Sequence, residues 1–244
     1  MTTSVAASAY VFGIVSAGAS LPEVDETGLA EGLRLVEADG LAAVVGTPPA
    51  DRSVGRAADL IAHDRVLAAL VDAGTAVLPM RFGAVLRDDA AVVDELLTAR
   101  GDALRAGLDR VTGRVQFTLA VRYEQDVVLP ELLAARPDIA RLRNSSTTDS
   151  LDGRIRLGEL VVQALDQARP ADAQRVLDEL RHAVDVRLNK TTTPEEVLNA
   201  AILVDDGQAV AFERATEKLA ERHHPRLRMR LVGPSAPYDF VGTG

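Results

Sequence analysis

The sequence contains no cysteine and no tryptophan, and its aromatic residues are limited to three tyrosines and five phenylalanines. Without cysteine the chain can form neither disulfide bonds nor thiolate metal sites, and it cannot use a cysteine nucleophile. With so few aromatic rings, a surface on which nucleic-acid bases stack is difficult to build. These absences fit a reducing, cytoplasmic environment and disfavour a nucleic-acid partner.

Long hydrophobic runs and an excess of positive charge are also missing. No apolar run approaches the roughly 20 residues that cross a bilayer, and the first residues lack the basic region and long apolar core of a signal peptide. The net charge of −9 argues against a general nucleic-acid binder, which needs a clustered positive field. We therefore expect a globular protein with no membrane span and no nucleic-acid partner.

The first half of the chain alternates between strand and helix patterns. The predicted strands are 9–15, a hairpin within 33–46 that turns at 38–40, and an interrupted strand over 76–86; the predicted helices are 55–73 and 88–108. Pro79 and Gly83 place the interrupted strand at an edge or a bulge, because proline cannot donate a ladder hydrogen bond. Gly74 is expected to end the first helix.

The second half has clearer element boundaries. The predicted strands are 113–123, 183–189, 198–204 and 226–232; the predicted helices are 127–135, 151–180 with a break at Pro170, and 208–222. Pro, Asn and a Ser/Thr run over 137–150 predict an exposed insertion. Without that insertion the order is β-α-β-β-α-β, the split βαβ arrangement of ferredoxin-like domains.

The sequence therefore predicts an α+β protein of two domains. The N-terminal domain, residues 1–112, is expected to be a looser α+β sandwich. The C-terminal domain, residues 113–244, is expected to be ferredoxin-like and to carry the insertion near 137–150 and a C-terminal tail, 234–244.

No set of residues predicts catalysis, a cofactor or a metal. His63 and Asp64 are neighbours on a helix and point to different faces, so we interpret His63 as a polar side chain of an amphipathic helix. The pair Asp88 and Asp89 is expected to cap a helix. We assign no catalytic, cofactor-binding or metal-binding residues.

Two stretches suggest contact with a partner. In the first, Arg81 and Phe82 lie side by side within the interrupted strand. In the second, the proline-rich tail carries Tyr238 and Phe240, a good share of the few aromatic residues. Tails fray unless they dock, and aromatic and arginine side chains often anchor interfaces. We predict Arg81, Phe82, Tyr238 and Phe240 as partner contacts; packing within the chain is the alternative.

The same stretches resemble a known family, the GvpF/GvpL gas-vesicle proteins. LPMRFG at 78–83 resembles the family motif "LPlRFG", and PYDFV at 237–241 resembles its closing "PYsFV". YVFGIV at 10–15, LAAVV at 41–45 and LNAAILV at 198–204 are similar to further family segments in the same order. Gln116 and Phe117 depart from the family pattern, which commonly has glutamate and tryptophan there, and Ser235 and Ala236 replace a usual Trp-Pro.

The resemblance implies an accessory protein of gas vesicle formation, located at gas vesicles in the cytoplasm. It implies binding to GvpA, the hydrophobic shell protein, and to other Gvp accessory proteins. It implies an N-terminal α+β domain and a ferredoxin-like C-terminal domain, with no catalytic activity, cofactor or metal. From the residues alone, a small-molecule-binding or enzymatic protein built on ferredoxin-like domains stays open.

Overall fold

A computed structural model describes residues 8–23, 28–135 and 150–241. Their mixture of helices and sheets confirms the predicted α+β class. The chain forms two compact units. The first comprises Met1–Gln116, Asp205–Gly207 and Pro234–Gly244, and the second comprises Phe117–Val204 and Gln208–Gly233. The insertion expected near 137–150 lies outside the described residues except for Ser150, which is exposed.

The first unit is built on a five-stranded sheet with β1 at its centre. Its strands are β1 (Ala9–Ser16), β2 (Glu31–Ala38), β3 (Leu41–Thr47), β4 (Leu78–Pro79) and β5 (Val85–Leu86). β1 pairs antiparallel with β3 on one side and with both β4 and β5 on the other. Asp39 and Gly40 have φ angles of 50° and 81°, which confirms the predicted hairpin turn, because a type I′ hairpin turn has positive φ at both central residues.

Helices that follow β3 along the chain complete the described part of this unit. They are α1 (Ala57–Asp72), a short α2 (Asp89–Ala91) that continues as a π-helix over Val92–Thr98, and α3 (Gly101–Val111). α1 packs on β1 through a core that includes Tyr10, Phe12, Val66 and Leu70. The single helix expected over 88–108 is therefore wrong in detail, because a π-helix and a turn at Ala99 and Arg100 separate α2 from α3.

An acidic side chain fixes the start of α1. Asp59 accepts the backbone N–H groups of Gly55 and Arg56 at 3.0 and 2.9 Å, and Arg52 donates to it at 2.8 Å. The Arg52 guanidinium and these N–H groups hold the pKa of Asp59 well below its usual range. His63 lies four residues later, so it projects from the same face of the helix.

Within the residues that the structure describes, the second unit contains a four-stranded sheet and three α-helices. Its elements are β6 (Arg114–Tyr123), α4 (Gln125–Ala135), α5 (Leu151–Glu179), β7 (Ala183–Leu188), β8 (Glu196–Asp205), α6 (Ala209–His223) and β9 (Leu227–Ser235). The strand order is β7-β8-β6-β9, and β7 and β8 pair antiparallel. Phe117 of β6 packs against Phe212 of α6 with ring centroids 5.0 Å apart. α5 continues through Pro170, so the break predicted there is wrong.

A charged network is buried in the second unit. The Asp172 side chain is 1% exposed, and its Oδ2 accepts the hydroxyl of Tyr123 at 2.7 Å and the guanidinium of Arg226 at 2.9 Å. Arg175 donates to the other carboxylate oxygen at 2.5 Å. Burial and the Asp172 carboxylate raise the pKa of the Tyr123 phenol. Both carboxylate oxygens of Asp172 therefore have hydrogen-bond partners.

Candidate functional site

A tight turn interrupts the strand that pairs with β1. β4 and β5 both pair with β1, and the residues between them leave the sheet. The N–H of Ala84 donates to the carbonyl of Arg81 at 3.1 Å, and Gly83 has a φ of 86°. A type II turn requires a positive φ at its third residue, which favours glycine there. The turn therefore carries Arg81 and Phe82 outside the ladder, where an unbroken strand would have paired them.

His63 lies in a cluster of aromatic side chains within the first unit. It is fully buried, and its ring stacks on Phe12 with centroids 5.6 Å apart. Tyr10, Phe82 and Tyr238 surround it at 5.7, 5.9 and 6.4 Å. We call these five residues the aromatic cluster. It joins β1, α1, the turn and the C-terminal tail, so the interpretation of His63 as an ordinary polar side chain of an amphipathic helix is wrong.

The hydrogen bonds around His63 assign its neutral tautomer. The N–H of Gly83 donates to the Tyr10 hydroxyl oxygen at 3.3 Å, and that hydroxyl lies 2.9 Å from Nδ1 of His63. We therefore assign Tyr10 as the donor to Nδ1, which puts the imidazole proton on Nε2. Nε2 is buried and makes no well-formed hydrogen bond with any described residue, although the backbone of Met80 interacts with the ring. A buried donor that is left unsatisfied costs about 1–3 kcal/mol, and this contact offsets part of that cost.

Burial also sets the charge state of this histidine. Loss of hydration lowers the pKa of His63, although the Asp64 carboxylate and the backbone of Met80 act in the opposite direction. A buried cationic imidazole would need a partner at both nitrogens. His63 is therefore kept as a neutral ring that packs among other rings.

The C-terminal tail docks onto the first unit through both of its aromatic side chains. The Tyr238 hydroxyl donates to Asp64 of α1 at 2.6 Å; burial and that carboxylate raise the pKa of the phenol. Phe240 is 1% exposed, and the guanidinium of Arg110 lies 6.0 Å from its ring centroid. The tail is therefore anchored at both ends of its short 3-10 turn, Tyr238–Phe240.

A reciprocal pair of hydrogen bonds fixes the middle of the tail. Gln116 donates from Nε2 to the Asp239 carboxylate at 2.7 Å, and its Oε1 accepts the backbone N–H of Asp239 at 3.0 Å. The carbonyl of Gln116 also accepts the Ser235 hydroxyl at 3.3 Å. The amide of this buried glutamine therefore uses both its donor and its acceptor on the tail.

The four predicted contact residues have different environments. Arg81 is exposed, Phe82 is half-buried against His63, and Tyr238 is 39% exposed. Phe240 is buried and anchors the tail to its own unit. The structure brings Phe82 and Tyr238 together around His63. Whether any of the four contacts a partner stays a prediction.

Sequence reasoning missed two residues that organise this site. The prediction for His63 rests on its neighbour Asp64, whereas its position four residues after Asp59 and three before Val66 is the signal for a buried face. Gln116 enters the sequence analysis only as a departure from a family pattern. The periodicity of β6 gave no sign that this buried amide would hold a tail 123 residues away.

The described residues contain no group of three or more His, Asp or Glu side chains that could hold a metal ion. Within the same ranges, no helix is both long enough and apolar enough to cross a membrane.

Comparison with known families identifies this class of protein. The family described as "Gas vesicle synthesis protein GvpL/GvpF" matches residues 8–242. The chain is 33% identical to gas vesicle protein F of Streptomyces sp. (strain CB03234) over 245 residues, which cover 96% of this chain and 99% of that protein. It is 32% identical to gas vesicle protein L of the same strain over 191 residues, which cover 74% of this chain and 68% of that protein.

Solved structures share the fold. The crystal structure of GvpF from Anabaena sp. PCC7120 superposes with a TM-score of 0.78 at 22% identity, covering 98% of this chain and all of that one. GvpF from Microcystis aeruginosa gives a TM-score of 0.75 at 22% identity, covering 96% and 99%. The chain belongs to the GvpL/GvpF family of gas vesicle proteins, and the resemblance found in the sequence is confirmed.

Proposed function

We propose that this protein is an accessory factor that supports gas vesicle formation by binding the shell protein GvpA directly. It does so at the gas vesicle in the cytoplasm, together with other Gvp accessory proteins and without catalysis, cofactor or metal. The observation that carries this proposal is the family match over residues 8–242. The family is one of gas vesicle proteins and not a known family of enzymes.

The physical argument concerns the shell protein before it polymerises. A hydrophobic subunit with exposed apolar surface aggregates unless a partner covers that surface. On the first unit, Arg81 and Tyr238 are exposed beside the half-buried Phe82. These are the side-chain types that dominate binding energy at interfaces. Phe240 supports the same surface from inside, because it holds the tail that carries Tyr238.

The finer architecture belongs to this proposal. We interpret the second unit as ferredoxin-like, on the order of its elements along the chain and the strand order β7-β8-β6-β9. We also keep a domain boundary near residue 112, with residues 1–112 as an N-terminal α+β domain. In the gas vesicle family such domains would present surfaces for protein partners.

Co-purification tests direct binding. The tagged protein is co-expressed with the untagged shell protein, and the tagged protein is recovered. We expect the shell protein to be recovered with it, and to be lost when the tag is carried by an unrelated acidic protein. Recovery of the tagged protein alone would reject direct binding.

Gene deletion tests the wider role. We expect a strain without this protein to lose buoyancy and to show few vesicles by electron microscopy, with recovery when the gene is restored. Normal vesicles in the deletion strain would contradict a role in their formation.

A further inference from the structure

A surface groove of about 680 Å³ lies in the first unit, next to the turn that carries Arg81. Its lining is drawn from β4 and the residues after it, from α3, and from the tail: Leu78, Pro79, Met80, Arg81, Arg100, Ala103, Leu104, Gly107, Tyr238 and Val241. Apart from the two arginines and the Tyr238 hydroxyl, these side chains are apolar. Arg81, Ala103 and Tyr238 are exposed, so the groove opens to solvent.

One wall of the groove is a single face of α3. Arg100, Ala103, Leu104 and Gly107 follow the spacing i, i+3, i+4, i+7, which places them on one side of a helix. From Arg100 to Gly107 the wall is about 10 Å long at 1.5 Å per residue. A Cβ at Gly107 would lie 2.9 Å from Leu78, so glycine lets α3 approach β4 and sets the depth of the groove.

The two arginines of the groove are unpaired. Neither the Arg81 nor the Arg100 guanidinium forms an ion pair or side-chain hydrogen bond with any described residue. Arg34 and Arg52 of the same unit, by contrast, pair with Asp89 at 2.6 Å and with Asp59 at 2.8 Å. Two positive charges beside one apolar groove favour an acidic partner there, although the whole protein has a net charge of −9.

We propose that this groove binds an amphipathic helical segment of a partner protein, with acidic side chains that pair with Arg81 and Arg100. An apolar helix face laid into an apolar groove is a general mode of peptide recognition. The wall of about 10 Å spans roughly two turns of such a helix. The charge pairing sets register and excludes basic segments. This inference rests on the proposed function in that it assigns the partner-binding surface, but its test does not need the shell protein.

The test measures binding of two synthetic peptides by fluorescence anisotropy. Both are helix-forming peptides of leucine and alanine; one carries two glutamates at the edge of its apolar face and the other carries two lysines. We expect the glutamate peptide to bind the full-length protein at least about tenfold more tightly, a difference of about 1.4 kcal/mol. Equal affinities, or no binding of either peptide, would overturn the proposal.

A charge reversal locates the site. In the double variant Arg81→Glu/Arg100→Glu we expect the preference to invert, so that the lysine peptide binds more tightly. The control Arg156→Glu/Arg214→Glu makes the same change in net charge on exposed residues of the second unit and should keep the original preference. The milder Arg81→Gln/Arg100→Gln should abolish the preference if the reversal fails to fold. An unchanged preference in that variant places binding elsewhere and overturns the proposal.

Two further arms separate other occupants and the proposed function. The first arm adds sodium decanoate, a small apolar anion, as a competitor. If decanoate displaces neither peptide, the result supports a peptide-binding groove. If decanoate binds and neither peptide does, the groove is a small-molecule site and the proposal is overturned. A chain ending at Val241 should bind the glutamate peptide as the full chain does; binding gained only on this truncation would identify the chain's own terminus as the occupant. If the peptides bind as expected but the shell protein does not co-purify, the groove stands and the proposed function fails.

Discussion

The two units solve the problem of a buried polar group in different ways. In the second unit, the Asp172 carboxylate is surrounded by donors from Tyr123, Arg175 and Arg226. In the first, His63 receives a hydrogen bond at Nδ1 and makes no well-formed hydrogen bond at Nε2 within the described ranges. Ring packing therefore stabilises the site around His63, whereas ion pairs and hydrogen bonds to a charged group stabilise the site around Asp172.

This difference separates a structural centre from a candidate functional one. A fully satisfied network defines one arrangement of its side chains and resists change. A buried donor without a partner is an exception that native proteins tolerate at sites with another role. Both centres reach the surface, the aromatic cluster through Phe82 and Tyr238 and the charged network through Arg175, but the aromatic cluster also contributes Tyr238 to the groove beside Arg81. The proposed partner-binding surface therefore belongs with the less saturated centre.

The largest expected effect comes from breaking the charged network. In Asp172→Asn, the amide NH2 group faces one of the two guanidinium groups, that of Arg226 or that of Arg175, and one negative charge is lost from a buried site. We expect the free energy of unfolding in urea to fall by about 3–5 kcal/mol. The exposed Asp178→Asn on the same helix should change it by less than about 0.5 kcal/mol. Equal effects of the two substitutions would show that the network does not stabilise the second unit.

The next effect concerns the anchor of the tail. Phe240→Ala leaves a cavity in a site that is 1% exposed, so we expect a loss of about 3 kcal/mol. Tyr238→Phe removes only the hydrogen bond to Asp64 and should cost about 1 kcal/mol or less. Thermal and urea unfolding measure both. If Tyr238→Phe costs as much as Phe240→Ala, the hydroxyl and not the buried ring is the main anchor.

Deletion of residues 234–244 should impair vesicle assembly or the stability of the protein.

The third prediction uses pH to probe the histidine. Burial lowers the pKa of His63 in the folded protein. His63 therefore binds a proton more readily in the unfolded chain than in the folded one. The stability contributed by neutral His63 is therefore present above about pH 6.5 and is lost as the pH falls toward its folded-state pKa. We expect unfolding free energies to drop by up to about 1.4 kcal/mol per pH unit below that point.

The matched variant for the pH experiment is His63→Phe, which keeps a ring in the cluster. Its urea unfolding, followed between about pH 7 and pH 5, should lack this part of the pH dependence. If the free energy of unfolding falls with decreasing pH equally in both proteins, groups other than His63 cause the loss of stability.

The smallest effect tests the turn. Gly83→Ala puts a side chain at a φ of 86°, although nothing lies within 4 Å of the added Cβ. The cost is therefore one of backbone conformation, about 1 kcal/mol. The exposed Gly158→Ala within α5 should instead stabilise slightly, since alanine favours helix. A neutral Gly83→Ala would mean that the turn relaxes without strain.

Local chemistry explains which parts of the fold the sequence could predict. Asp39 and Gly40 mark a hairpin because few residues adopt positive φ, and Gly74, at φ 73°, ends α1 for the same reason. The break predicted at Pro170 is wrong because a proline removes only one hydrogen bond of the helix, which is too little to break it here. Packing of Leu165 and Val176 on either side of it keeps α5 continuous, and such packing is not encoded locally.

The buried face of α1 shows why the site is harder to predict than the fold. The apolar residues Leu60 and Ile61 are 46% and 60% exposed. The polar residues Asp59 and His63 are buried, because the Arg52 and backbone contacts of Asp59 satisfy a buried charge. Hydrophobicity alone therefore does not identify every residue of the buried face.

The pairing of Gln116 with Asp239 limits how this sequence can change. Gln116→Glu alone would set two carboxylates against each other and remove the donor that Asp239 uses. Asp239→Ser would leave the glutamine without its carboxylate acceptor, but a serine hydroxyl could donate to a glutamate at 116. Substitutions at positions 116 and 239 therefore have to occur together. A substitution at either position alone removes a hydrogen bond and loosens the tail that carries Tyr238.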